Sequence, residues 1–352
     1  MSDSFRARYR VETPHPLEFA AEMIAGEQSS GTFVAVPGET EELKARSRAR
    51  IESIQALEPS QTPSLAGSRP PKGQHSDLVY HRGEIEISWP LANLGANLPT
   101  LMSTVCGNLY ELGELSGLKL LDIDVPEAFA ERYRGPQFGV EGTRKLAGVY
   151  DRPIVGTIVK PSVGLTPGQT AELVRELGEA GIDFIKDDEL MADPPHSPLK
   201  DRVTAVMEVI NELADKTGKK IMYAVNISDE IDAMKRHHDF VLESGGTCIM
   251  ISLNCVGLSG TSAIAQHTQI PIHGHRNGWG MLTRHPYLGM EFTAYQKFWR
   301  LAGVDHLHVN GLQNKFWEPD DSVVTSIQAC QTPMLGDCHH PDAVLRQPVL
   351  PR

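Results

Sequence analysis

The segment Gly181-Ile-Asp-Phe-Ile-Lys-Asp-Asp-Glu189 holds the densest chemistry in the chain. Read as a strand with a two-residue side-chain period, it turns Lys186 and Asp188 the same way and leaves Glu189 at the strand's end. Two carboxylates beside a lysine make a hard, oxygen-rich set suited to Mg²⁺. The lysine amine could also add CO₂ and become a carbamate, which exchanges a cation for a third oxygen ligand. A solvated charge run is the plainer reading of the same residues. A second lysine, Lys160, ends the apolar run Thr157-Ile-Val-Lys160 and is followed by Pro161 and Gly164. Burial and neighbours could make it a proton carrier, or it could snorkel at the surface. Two His-x-His runs, His273-Gly-His275 and His306-Leu-His308, each put both rings on one face. Zinc ligation is one use of such pairs and core packing another. Arg276, beside the first pair, is a natural phosphate contact. The stretch Asn310–Glu318 carries Lys315 and could fold over a substrate as a lid, or be an ordinary loop.

The elements that must position these groups follow a regular rhythm from about residue 150. Strand-like segments at Ile154–Val159, Asp183–Lys186, Lys220–Val225, Thr247–Ser252, Ile270–Gly274 and Asp305–Val309 are interleaved with helical patterns at Thr170–Ala180, Asp201–Thr217, Ile231–Ser244, Phe292–Ala302 and Asp321–Cys330. This alternation indicates parallel βαβ units and suggests a (β/α)₈ barrel. The count stops at six strands, and only 22 residues follow Cys330. The expectation is therefore an open α/β sheet or a barrel cut short.

The earlier part reads as α+β. Tyr9–Thr13 alternates as a strand and Pro16–Gly26 has helical spacing. Glu27–Val36 reads as a strand, Glu41–Ile54 as a charged helix and Glu58–Ser76 as a Pro/Ser/Gly-rich loop free to move.

Composition bounds the function classes. The chain has 352 residues, 40% of them hydrophobic and 22% charged, which excludes a disordered, collagen-like or coiled-coil protein. A formal net charge of −12 repels a nucleic-acid backbone but leaves room for a small phosphorylated substrate at a local basic cluster. No apolar run approaches the roughly 20 residues of a membrane span, so no membrane partner is expected. The start, MSDSFRARYR, lacks the apolar core of a secretory signal, and a cytoplasmic protein is expected. Cys106, Cys248, Cys255, Cys330 and Cys338 show no CxxC pairing and read as buried or idle thiols.

In this order, EQSSGTF, CGNLYEL, the run RYRGPQFGVEGTRKLAGVYDRPIVGTIVKPSVGL at 132–165, GIDFIKDDE, HGHR, HLH and the Lys315 loop resemble the large subunit of ribulose bisphosphate carboxylase (RuBisCO). They are more similar to its non-carboxylating form IV relatives, the RuBisCO-like proteins. The resemblance runs from about Glu27 to about Thr332. It implies a ferredoxin-like α+β domain over residues 1–135, then an incomplete TIM (β/α)₈ barrel over 136–332 with strands one to six only. Residues 333–352 read as an unrelated tail. It further implies Mg²⁺ held by Asp188, Glu189 and a CO₂-derived carbamate on Lys186. Lys160 matches the lysine that moves protons in enolisation, His275 a metal-side histidine, and Arg276 and His308 phosphate-side residues. Lys315 matches the mobile-loop lysine. Glu27, Thr32 and Asn108 match N-domain residues that reach a partner subunit's site, so a homodimer is implied.

The departures carry as much meaning. The second lysine of the family's KPK is Ser162, and the family's SGT is Val309-Asn-Gly311. Loss of that lysine argues against ribulose bisphosphate carboxylation, while the enolate-forming core is retained. HGHRNGWGMLTRHPYLGM looks most like the group that decarboxylates 3-oxo-isoapionate 4-phosphate through a metal-stabilised enolate. Alternatives are a transcarboxylase/hydrolase on that substrate, or an enolase/isomerase of methylthio sugar phosphates. The Gly-rich phosphate loops of the family's seventh and eighth strands have no counterpart, so a truncated or frameshifted, non-catalytic product is a further expectation. A zinc amidohydrolase also uses His-x-His and a carbamylated lysine, but in the reverse order along the chain.

Overall fold

The computed structural model describes residues 4–31, 37–74 and 76–334. The chain divides into two units: residues up to Tyr133 together with Gly280–Lys297, and Arg134–Trp279 together with Phe298 onward.

The first unit is built on a five-stranded sheet in the order β10-β4-β1-β3-β2, with β1 Ser4–Thr13, β2 Arg50–Ser60, β3 Tyr80–Pro90, β4 Gly117–Asp124 and β10 Leu288–Met290. β1 shows why: Phe5, Ala7, Tyr9 and Val11 are buried while Arg6, Arg8 and Arg10 face outward, the period-two alternation of a half-buried strand. β1 lies antiparallel between β3 and β4, and Phe5 stacks on Trp89 with ring centroids 5.3 Å apart. Helix Leu17–Glu27 buries Leu17, Ala20, Ala21, Met23 and Ile24. β10 pairs parallel with β4, through Leu288 opposite Leu118. The excursion that carries it is tied down by buried Lys119, whose ammonium donates to the carbonyls of Thr283 and His285.

Three local expectations change. Glu27 ends the helix rather than opening a strand, and 32–36 lie outside the described residues. The helix expected over Glu41–Ile54 stops at Ser47, and β2 begins at Arg50. Thr40 caps that short helix on the Leu43 amide, but Ile51 and Ile54 pair with Ile87 and Ile85 of β3. Cross-strand packing of β-branched residues outweighs the local helical preference. The polar stretch after Ser60 is anchored rather than loose. The carboxylate of Glu12, fully buried, accepts from the Ser64 amide and hydroxyl, from Arg82 Nε at 2.7 Å and from Ser116 Oγ at 2.8 Å. Burial alone would raise this carboxyl's pKa, yet those donors hold it below its usual value.

The second unit is an incomplete TIM barrel. Among the described residues its sheet has six strands, all parallel, in the order β11-β9-β8-β7-β6-β5. They are β5 Gly156–Ile158, β6 Phe184–Lys186, β7 Met222–Asn226, β8 Cys248–Ser252, β9 Ile272–His275 and β11 His306–Leu307. β7 and β8 are buried along their whole length, as strands covered on both faces must be. The flanking helices have clear ends. Thr166 and Gln169 form a capping box before Pro167–Glu179, and Gly218 at φ +72° closes Leu199–Thr217. Helix Leu253–His267, absent from the sequence reading, is interrupted at Gly257 (φ +78°), which obscures its period. At the start of β6, Asp183 accepts from Arg152 Nη1 and Nη2 at 2.5 and 2.8 Å, from Lys219 and from the Val155 amide. Among the described residues no helix is long and apolar enough to cross a membrane.

Candidate active site

In a parallel barrel the side chains at the C-terminal strand ends converge. Lys186 is the last residue of β6 and His275 the last of β9; Lys160 follows β5 closely, and His308 follows β11. The register aligns Lys186 with Ala224, Met250 with His273 and His273 with His306.

Lys186 is buried, and among the described residues its amine meets the Asp187 carbonyl at 3.2 Å and the Met250 sulfur at 3.9 Å. Burial brings its pKa down to about 8, with Glu189, Asp188 and Asp187 opposing part of that fall. Asp188 turns to Lys160, whose ammonium lies 2.5 Å away and also donates to Ser162 Oγ at 2.7 Å. Burial would lift the Asp188 carboxyl, but Lys160 and the Leu190 amide hold it below its usual value. Glu189 Oε2 lies 3.7 Å from His275 Nε2.

The four histidines are neutral at ordinary pH. Burial, then the Lys186 charge, lowers His275 to about 4, and burial lowers His306 to about 4. His273 and His308 are driven well below the usual value, first by burial. Thr143 donates to the Gly139 carbonyl, so its oxygen accepts from His306 Nε2 at 2.6 Å. His273 and His306 thus belong to the barrel's packed interior beside Phe184, while His275 and His308 face each other nearer the mouth, ring centroids 5.2 Å apart.

The sequence reading missed what holds the metal-type residues in line. Asp187 points opposite to Lys186 and Asp188 and is fully buried. It accepts from the Tyr223 hydroxyl, the Asn226 amide at 2.9 Å and Arg202 at 3.3 Å. Arg202, also fully buried, donates to the carbonyls of Met191, Ala192 and Ser197 and so clamps the loop after Glu189. Asn226 Nδ2 donates to the carbonyls of Asp188 and Glu189 at 3.1 and 3.2 Å. One signal was available: Arg202 lies within the apolar stripe Leu199, Val203, Val206, Ile210, where a charge needs a buried partner.

Arg276 pairs with Glu318, and Lys315 is exposed with its ammonium 5.3 Å from the Phe316 ring centroid. Glu27 and Asn108 belong to the first unit, at the end of its first helix and the start of the 3₁₀ turn Asn108–Glu111. Thr32 lies outside the described residues. A separate His/carboxylate group, His238, Asp239 and His267, lies on the helices Ile231–Glu243 and Leu253–His267. It is closed by protons rather than open to a metal. His238 Nε2 accepts from the Gln269 amide, so its Nδ1 donates to Asp239, which His267 also meets.

Comparison with known proteins decides the family. The ribulose bisphosphate carboxylase large-chain family models match residues 5–129 (N-terminal domain) and 139–342 (catalytic domain). The chain belongs to the RuBisCO large-chain family. Within it, a Xanthobacter autotrophicus protein named 3-oxo-isoapionate-4-phosphate transcarboxylase/hydrolase is 54% identical over 95% of this chain and 79% of its own length. A Rhizobium etli protein named 3-oxo-isoapionate-4-phosphate decarboxylase is 47% identical over 95% and 80%. A RuBisCO-like protein from Burkholderia fungorum superposes with a TM-score of 0.89 at 46% identity, covering 98% of this chain and 81% of that one. A RuBisCO from Hyperthermus butylicus, described as dimeric, matches at 0.80 and 26% identity over 94% and 73%. In this RuBisCO-family chain the position of the second KPK lysine holds Ser162, which serves as an acceptor for Lys160.

Proposed function

We propose that the chain is a lyase that decarboxylates a phosphorylated β-keto sugar acid of the 3-oxo-isoapionate 4-phosphate type through an enolate. One observation carries the reading: a buried amine of depressed pKa, Lys186, beside two carboxylates, one of them paired with a second lysine.

The residues fit the implied group. A carbamate forms only from a neutral amine, and at a pKa of about 8 a sizeable fraction of Lys186 is neutral at working pH. Asp188 and Glu189 supply hard oxygens, and His275 is neutral next to Glu189. Mg²⁺ held by Asp188, Glu189 and carbamylated Lys186 would supply Lewis-acid polarisation of the keto oxygen.

The chain's own residues do the rest. The substrate's carboxyl carbon leaves as CO₂, and the bonding pair stays on the adjacent carbon as an enolate. That carbon then takes a proton from the Lys160 or Lys315 ammonium, and water restores the lysine's proton. Lys160 is oriented for this by Asp188 and Ser162. Arg276 and His308, which follow β9 and β11, supply the phosphate contacts in this reading, and Lys315 closes the site from its loop. Glu27, Thr32 and Asn108 complete the site of a second subunit in a homodimer.

The 54% identity to the transcarboxylase/hydrolase, against 47% to the decarboxylase, favours a second reading in which the same enolate forms and the carboxyl group goes elsewhere. Incubating the protein with 3-oxo-isoapionate 4-phosphate, ¹³C-labelled at its carboxyl, and Mg²⁺ separates the two. Label released as CO₂ or bicarbonate supports decarboxylation, label in a new organic acid supports the second reading, and unchanged substrate excludes both.

A further inference from the structure

Lys160 and Ser162 sit on a segment between β5 and the helix Pro167–Glu179 that has no regular structure. Val159 before it and Thr170 after it are fully buried, but every residue from Lys160 to Gln169 is exposed or half-buried. Apolar packing therefore does little to place this segment, and hydrogen bonds must. At its start the Val159 amide donates to the Lys186 carbonyl at 2.9 Å, and at its end Thr166 caps the helix. Between these points two ties reach the loop after β6 among the described residues. One joins Lys160, with Ser162, to Asp188. The other runs from the Gly164 amide to His196 Nε2 at 3.1 Å. A backbone amide can only donate, so Nε2 of His196 is the bare nitrogen and Nδ1 carries the proton. His196 itself stands on a firm base. The next residue, Ser197, is fully buried; its amide donates to the Pro194 carbonyl at 2.9 Å, and its carbonyl accepts from Arg202 at 2.6 Å.

We infer that His196 is a positioning residue: its bare Nε2 tethers Gly164 and so keeps the segment that carries Lys160 and Ser162 against the loop that carries Asp188 and Glu189. The inference rests on the enolate reading above, in which Asp188 also serves a metal ion. A carboxylate shared with a divalent cation holds an ammonium less firmly, because the cation is the largest local charge. The Gly164–His196 tie uses no oxygen of that set, so it keeps its strength when the other tie weakens. Lys160 then stays within reach of the carbon it protonates. Reach matters here, since a displacement of about 1 Å at a reacting group can cost about 10² in rate.

The test compares wild type with His196→Ala, which removes the acceptor, and His196→Gln, which offers a side-chain oxygen at similar reach, in the full chain. His196 is exposed, so the melting temperature of both variants should stay near that of wild type. Amide hydrogen exchange at Gly164 should be about tenfold faster in His196→Ala and return toward wild type in His196→Gln. In ¹⁵N-histidine spectra the signal lost in His196→Ala should show a bare Nε2 and a protonated Nδ1. With the keto acid and Mg²⁺, His196→Ala should lower kcat by roughly tenfold at nearly unchanged KM, and His196→Gln should restore most of it. A protonated Nε2 in neutral His196, or Gly164 exchange unchanged in His196→Ala, overturns the tether. A wild-type kcat in His196→Ala, or a loss that His196→Gln does not repair, overturns the positioning role. The exchange and imidazole readouts need neither substrate nor metal. Failure of the wild-type protein to turn over the keto acid would therefore remove the proposed function while the tether is still judged on its own evidence.

Discussion

The Lys160 ammonium lies 2.5 Å from the Asp188 carboxylate, joining the end of β5 to the end of β6. Asp188 is fully buried and Lys160 is about half exposed, so the pair stands at the boundary between barrel interior and mouth. One carboxylate both belongs to the oxygen-rich set and orients the lysine proposed to carry the proton. Lys160→Met keeps length and bulk but removes the proton and the charge. Turnover of the keto acid should fall by about 10²–10⁴, the usual contribution of a positioned general acid. Circular dichroism and a thermal melt separate any loss of fold, since buried Asp188 also loses its cation, from loss of chemistry; a folded variant that keeps activity within a few-fold would remove Lys160 from the chemistry.

Lys186 gives a spectroscopic prediction. With ¹³CO₂ and Mg²⁺ the protein should show a carbamate carbon signal that Lys186→Ala lacks, and Lys186→Ala should lose activity. The sign with pH follows from the amine: the neutral form grows as pH rises toward and past about 8, so carbamylation should speed up between pH 7 and 9 and then level off. A carbamylation rate that falls over that range would contradict the assignment.

How much of this could be read in the sequence depended on whether spacing or tertiary contact set the outcome. Strand parity alone gave Lys186 and Asp188 a common side and placed both His-x-His pairs, because a two-residue period needs no partner. The six short apolar segments gave the parallel barrel for the same reason. Ile51 and Ile54 were misread as helical because their strand exists only through Ile87 and Ile85, thirty residues and more away. Leu253–His267 was missed because Gly257 breaks its period, and β10 because three residues that pair with β4 carry no local pattern. Asp187 and Arg202 were invisible as a pair, since fifteen residues of loop and helix separate them.

Asp183 makes an acid-stability prediction. Burial would raise its carboxyl, but Arg152, Lys219 and the Val155 amide pull it well below the usual carboxylate range. A carboxyl whose folded pKa is depressed stabilises the fold above its unfolded value, near 3.9, and loses that contribution as pH falls through the folded value. Asp183→Asn should therefore cost about 2 kcal/mol at pH 7, and the gap to wild type should narrow below about pH 4. Urea unfolding at several pH values measures it. A gap that does not change with pH would mean that the charge is not what stabilises this junction.

Arg202 offers the sharpest separation of scaffold from chemistry. It is fully buried, its cation faces Asp187, and its other donors hold three carbonyls of the segment after Glu189. Arg202→Met fills similar volume but strands the Asp187 charge among Tyr223 and the Asn226 amide. Removing one partner of a buried pair costs about 3–5 kcal/mol, so a large fall in melting temperature is expected. Asp187→Asn combined with Arg202→Met removes both charges, and it should recover a good part of that loss, because no ion is then left unpaired. Turnover of the keto acid should nevertheless stay low in the double variant, because Asp188 and Glu189 lose the alignment that this clamp gives them. If the double variant is no more stable than Arg202→Met alone, the contacts to the three carbonyls, and not the ion pair, are what Arg202 contributes.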